Sequence, residues 1–130
     1  MDIIVEANSY IPIYEQIIGQ VCRGVESGQL KPGQPLPTIR QLAVDLDLTP
    51  ATVAKAYQLM EQGSIIRTGG RRGTFIHDDA ANSIRRFVSG RVEIQTREFI
   101  REQIRLGIDK RELKSIFAKI LETFEGGANG

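Results

Sequence analysis

Residues 36–63, LPTIRQLAVDLDLTPATVAKAYQLMEQG, constrain the fold more than any other stretch of the chain. Two short runs of helical periodicity lie a few residues apart. Thr38 stands three residues before Gln41, the spacing of a capping box. Ile39, Leu42, Ala43 and Leu46 then recur at i, i+3, i+4 and i+7, so a first helix buries one face. Asp47-Leu48 breaks that run. Thr49 is a natural N-cap for a second helix, and Pro50 falls at its first position, where a missing N–H costs nothing. Val53, Ala56, Tyr57 and Met60 repeat the inward spacing, and Gly63 is expected to end the helix in the left-handed conformation. Ala51, Thr52, Lys55, Gln58 and Gln62 remain on the outer face, with no carboxylate among them. Helices joined in this way make a helix-turn-helix, whose second helix enters the major groove of DNA.

The flanks extend the pattern. Residues 11–27 read as an amphipathic helix with Tyr14, Ile17, Ile18, Val21 and Val25 as its apolar stripe and Gly28 as its stop. The linker GQLKPGQPLP follows, with a turn expected at residues 31–34. After the second short helix, residues 65–68 and 74–77 are β-prone and flank GGRRG, which predicts a two-stranded hairpin. Such a hairpin is marginal alone and must lean on the helices. The fold class is therefore mainly α with a small β-hairpin. A winged helix-turn-helix spans residues 1–77, and a two-helix segment spans residues 78–130.

In that segment a long helix is expected over about residues 81–106, with Ile84, Val88, Val92, Phe99 and Gln103 or Ile104 near one face. Gly90 and the β-branched residues beside it weaken the pattern and allow a bend there. After a break at Gly107-Ile108, Asp109 and Glu112 repeat the cap spacing. The last helix carries Leu113, Ile116, Phe117, Ile120, Leu121 and Phe124 on one broad stripe. Residues 126–130 are expected to be a disordered end. Each large apolar side chain contributes about 1.5–3 kcal/mol when fully buried. Two helices cannot easily hide so wide a stripe, so these residues are candidates for dimerisation with a second copy. The alternative is that the tail folds back onto its own winged helix.

Charge is distributed unevenly. The whole chain carries +1, but residues 27–77 hold six basic and three acidic side chains, residues 1–26 one basic and four acidic. The positive excess surrounds the helix-turn-helix and is modest, so non-specific DNA affinity should be weak and steeply salt-dependent. Cys22 is the only cysteine and His77 the only histidine, which argues against a disulfide, a histidine-based metal site or a catalytic dyad. Cys22 has the ordinary role of a small residue near an apolar helix face. No apolar run approaches the ~18 residues of a membrane span, and the acidic N-terminus lacks a secretion signal. An enzyme is the weakest functional class.

In order along the chain, PIYEQIIGQV, SGQLKPGQPLPTIRQLA, LTPATVAKAYQLMEQGSI and GRRGTFI resemble the GntR family of bacterial transcription regulators. TPATVAKAY and the short two-helix tail are most similar to its YtrA-like branch. The resemblance is close over roughly residues 10–77 and elsewhere covers only length and helical pattern. It implies a cytoplasmic, homodimeric regulator, usually a repressor, on a palindromic double-stranded DNA operator. Carried over position by position, Arg40 matches the arginine of the family's LPS-x-R motif. Thr49, Ala51 and Thr52 match the start of the recognition helix, and Lys55 a basic position within it. Gly70, Arg71 and Arg72 match the wing tip. The chain departs from the family where arginine is common and it has Pro50 and Ala54, and in its GGRRG wing.

Ordinary structural roles compete at each candidate. Arg40 on a solvated helix face is usually a surface charge, and Arg71 and Arg72 could decorate a plain turn. Thr38 and Thr49 are caps in either case. Tyr57 suits the core better than DNA, although its hydroxyl could reach a phosphate. A minor-groove arginine reads groove width more than sequence. The residues imply no cofactor and no metal. A small-molecule effector, where the protein takes one, would sit between the tail helices or between copies. A winged helix that binds only protein is the competing function.

Overall fold

The computed structural model describes residues 2–124, so the expected disordered end at residues 126–130 lies outside the described residues. The chain divides into two compact units, Met1–Ser89 and Gly90–Gly130. The first holds α1 (Ile13–Ser27), β1 (Pro35–Leu36), α2 (Ile39–Leu46), α3 (Pro50–Gln62), β2 (Ile66–Thr68), β3 (Thr74–Ile76) and the first turns of α4 (Ala80–Arg105). The second holds the rest of α4 and α5 (Lys110–Thr123).

Local chemistry sets the helix ends. The Thr38 hydroxyl accepts from the Gln41 N–H at 3.1 Å, and the Gln41 side-chain oxygen accepts from the Thr38 N–H at 3.0 Å. That reciprocal box starts α2. Asp47 closes it in the left-handed region (φ 57°), with the Leu48 N–H donating to the Ala43 carbonyl at 2.9 Å. Pro50 opens α3 as expected.

The end of α3 differs from expectation. Gly63 has φ −88°, and Ser64 takes the left-handed position at φ 61°. The Ser64 and Ile65 N–H groups reach the Glu61 and Met60 carbonyls at 3.1 and 2.9 Å, the closure of a Schellman motif. Gly63 is required for space instead. A Cβ there would lie 2.2 Å from Cδ1 of Phe87.

The sheet has three antiparallel strands in the order β1-β3-β2. Ile66, Arg67 and Thr68 pair with Ile76, Phe75 and Thr74, as the hairpin predicts. The linker supplies the strand that the sequence did not reveal: Pro35 pairs with Phe75 and Leu36 with Thr74. Proline is tolerated there because β1 is an edge strand. The expected turn precedes it, with the Gln34 N–H donating to the Lys31 carbonyl at 3.0 Å.

Ile17 and Val21 of α1, Val53 and Met60 of α3, and Ile65, Ile66 and Ile76 around the hairpin are fully buried. The hairpin thus leans on the helices. Ala80 and Ile84 join this core, with Phe87 and Val88 packed against it. Val88 was expected on the dimerisation face. It lies one helical turn beyond Ile84, so the same stripe that buries Ile84 draws it to the winged-helix core. Ile76 ends the sheet, whereas the first compact unit continues to Ser89.

In the second unit α4 continues through Gly90 without interruption. The Asp109 side chain accepts from the Glu112 N–H at 2.8 Å and starts α5. Leu113 is buried, and the Phe99 and Phe117 rings lie 6.2 Å apart. No helix among the described residues is long and apolar enough to cross a membrane.

Candidate nucleic-acid interface

The capping box that starts α2 leaves Arg40 exposed on the first turn of that helix. Thr49 holds the N-cap position of α3 with extended backbone, but its side chain caps no N–H. Its hydroxyl oxygen lies 3.1 Å from that of Thr52 instead. In the first turn of α3 Pro50 has no N–H and that of Thr52 donates to the Thr49 carbonyl at 3.1 Å, which leaves the Ala51 N–H for an outside acceptor. Ala51 and Lys55 are exposed on the same helix, and Thr52 is half-buried.

Lys55 is not a free-swinging side chain. Its ammonium sits over the Tyr14 ring of α1, 4.1 Å from the centroid. Tyr14 read in the sequence as one member of the α1 apolar stripe. Only the packing of α1 on α3 reveals its second neighbour.

Tyr57 takes the core role that its helix spacing favours, not the DNA contact that its hydroxyl left open. It is buried, and its hydroxyl donates to the Pro37 carbonyl at 2.7 Å. Burial pushes its pKa up to about 12. The side chain locks α3 to the segment before α2 and has no proton left for a phosphate.

The wing tip is one turn of 3₁₀ helix, Gly70–Arg72, closed by the Gly69 N–H on the Gly73 carbonyl at 2.7 Å. Gly70 (φ 60°) and Gly73 (φ 107°) occupy backbone that L side chains rarely adopt, which accounts for glycines on both sides of the arginine pair. Arg71 and Arg72 are exposed and make no ion pair among the described residues. Arg67, in the wing's stem, is occupied differently. It stacks on the Phe75 ring at 4.9 Å and lies 4.0 Å from the Asp78 carboxylate. The Thr68 hydroxyl donates to the Glu61 carboxylate at 2.9 Å, which ties the wing to the last turn of α3. Neither Thr68 nor Glu61 stood out in the sequence, because their link depends on the path of the chain between them.

The second unit carries the expected apolar surface. Val92, Phe99, Ile116, Ile120, Leu121 and Phe124 are exposed, Phe124 by 72%. Phe117 is half-buried, and only Leu113 of the proposed stripe is buried. Beside them an open groove of about 440 Å³ is lined by Ile100, Leu113, Phe117, Ala118 and Leu121 with Lys110 and Lys114. Cys22 is buried within the first unit, as its packing role requires.

The model of the family described as bacterial regulatory proteins, gntR family, matches residues 13–76, the span from the start of α1 to the end of β3. The chain is also 33% identical to the HTH-type transcriptional repressor YtrA of Bacillus subtilis (strain 168), over 95% of each chain. The chain belongs to the GntR family. Two solved structures show how far its architecture is shared. YtrA from Sulfolobus acidocaldarius, a GntR-family transcription factor, is 27% identical with a TM-score of 0.55, covering 93% of this chain and 97% of that one. The AraR DNA-binding domain, in complex with operator ORX1, is 19% identical with a TM-score of 0.51, covering 58% of this chain and 95% of that one. At that identity the likeness is one of fold. This GntR-family chain is a transcriptional regulator with an N-terminal winged helix.

Proposed function

We propose that the chain is a repressor that binds a palindromic DNA operator as a homodimer. The observation that carries this is the state of its basic side chains. Arg40, Lys55, Arg71 and Arg72 are all exposed on the helix-turn-helix and wing, and none makes an ion pair among the described residues. Cations so placed are ready to displace counterions from a phosphate backbone. In this reading the hydroxyls of Thr49 and Thr52, the Lys55 ammonium and the Ala51 N–H at the start of α3 set register on phosphates. Arg40 and Ala51 meet base edges, and Gly70 lets the wing bring Arg71 and Arg72 to the minor groove. Thr38 acts by holding the start of α2. Val92, Phe99, Ile116, Phe117, Ile120, Leu121 and Phe124 would bury themselves against a second copy, with Leu113 beneath them. Their exposure in one chain supports that association. A symmetric dimer presents two recognition helices about one DNA turn, ~10 base pairs, apart or at a multiple of it. The repressor role of the Bacillus relative supports repression, exercised in the cytoplasm where the operator lies.

Selection from a random duplex pool, followed by gel-shift titration across a salt series, tests the proposal. Enrichment of inverted half-sites with steeply salt-dependent binding is the expected result. No enrichment, together with capture of a protein partner, would favour a winged helix devoted to protein contacts.

A further inference from the structure

We infer that Tyr14 is a positioning residue for DNA binding, acting through the face of its ring on the Lys55 ammonium. The inference rests on the proposed placement of Lys55 at a phosphate. Lysine is a flexible chain whose ordering costs entropy. Lys55 is exposed, and no carboxylate pairs with it among the described residues. The charge is held instead by the Tyr14 ring, 4.1 Å from the ring centroid. A carboxylate in that place would neutralise the charge that the phosphate needs. An aromatic face restrains the ammonium and leaves its net charge intact. Tyr14 is itself fixed, because it packs against the winged-helix core from α1. The first helix thereby sets where a cation on the third helix is presented.

The test uses the full chain and the duplex that the wild type enriches from a random pool. Tyr14→Phe keeps the ring and should bind like the wild type. Tyr14→Leu removes the π face and should weaken binding about two- to five-fold, the equilibrium equivalent of an exposed cation–π contact. Its dependence on log salt should be unchanged, because the charge count is unchanged. Lys55→Met should weaken binding and lower the salt slope by about 1. In the Lys55→Met background, Tyr14→Leu should have no further effect. Thermal unfolding of each variant separates loss of packing from loss of binding.

Three results would overturn the inference. If Tyr14→Phe loses as much as Tyr14→Leu, the hydroxyl is the contact. If Tyr14→Leu weakens binding equally without Lys55, the ring acts by another route. If Lys55→Met leaves affinity and slope intact while the wild type binds tightly, the placement of Lys55 fails but DNA binding stands. Failure of the wild type to enrich any duplex would instead remove the proposed function beneath it.

Discussion

The Thr68 hydroxyl donates to the Glu61 carboxylate at 2.9 Å, joining the strand that leads into the wing to the last turn of α3. Both residues are exposed, so the bond adds little to folding stability. Its consequence is geometric: the wing's root is referenced to α3, the helix proposed to enter the groove. Thr68→Val removes the donor without altering charge. Operator affinity, read by fluorescence anisotropy, is expected to fall about two- to five-fold, equivalent to ~0.5–1 kcal/mol for one hydrogen bond. The urea midpoint should hardly move. Unaltered affinity would show that the wing is positioned without this bond.

Gly63 and Phe87 offer a sharper test of packing. A methyl at position 63 would meet the Phe87 ring at 2.2 Å, inside any tolerable contact. Gly63→Ala is therefore expected to destabilise the first unit by about 1–3 kcal/mol, the usual cost of overpacking. Phe87→Leu in the same chain should recover part of that loss. Additive costs in a chemical-denaturation cycle would mean that the two residues do not meet.

Ser64 is the converse case. It holds a left-handed conformation that costs an L residue about 1–2 kcal/mol relative to its preferred backbone. Ser64→Gly should raise stability by up to about 1 kcal/mol, seen as a higher urea midpoint with an unchanged slope. The sequence pointed to the neighbouring glycine for this role. Its error shows where reading by local pattern stops.

Caps and stripes were legible because each involves residues three or four apart. Thr38 with Gln41, Pro50 at the start of α3, and Asp109 with Glu112 all appear where their spacing put them. The winged-helix class and the exposed residues of α3 followed from the same short-range logic. What stayed hidden depends on chain path. Strand β1 is two residues long and begins with proline, so it has no alternation to detect. Tyr57 and Val88 sit on stripes whose direction is certain, but their partners are remote in sequence. The ring beneath Lys55 and the phenyl above Gly63 belong to helices that the sequence does not align.

The exposed stripe of the second unit leads to an assembly prediction. Ile120 is 48% exposed in one chain and lies between Ile116 and Phe124 on the same helix face. Ile120→Glu would place a carboxylate in the proposed interface. Sedimentation is expected to shift from dimer towards monomer, and operator affinity should drop by at least tenfold as the second half-site is lost. A dimer that persists at low micromolar concentration would exclude this face.

Arg40 and Arg71 separate base recognition from simple attraction. A bidentate base contact discriminates by ~1–3 kcal/mol, whereas a phosphate contact changes the salt slope by about 1. Arg40→Ala should weaken binding at fixed salt and relax preference at one position of each half-site. Arg71→Ala should weaken binding more on duplexes with a narrow minor groove than on others. Equal affinity of both variants and the wild type would contradict both placements.

The lone thiol gives a pH prediction whose sign is fixed by burial. Cys22 is pushed up to about 12 from 9.0, first by desolvation and then by the nearby Glu26 carboxylate. The folded state thus favours the neutral thiol more than the unfolded chain does. Its contribution is fully present below pH ~9 and is lost progressively as pH rises from there towards 12. Tyr57, raised to about 12 from 10.0 by burial, adds to the loss over the upper part of that range. Urea midpoints should therefore be flat with respect to these groups near pH 8 and fall steeply above pH 9. Cys22→Ala should be less stable at neutral pH, because it empties part of a packed site, yet lose less stability on going alkaline. Native Cys22 should also resist a thiol reagent at pH 8 until urea opens the core. Labelling at the rate of a free thiol in the folded protein would place the side chain outside that core.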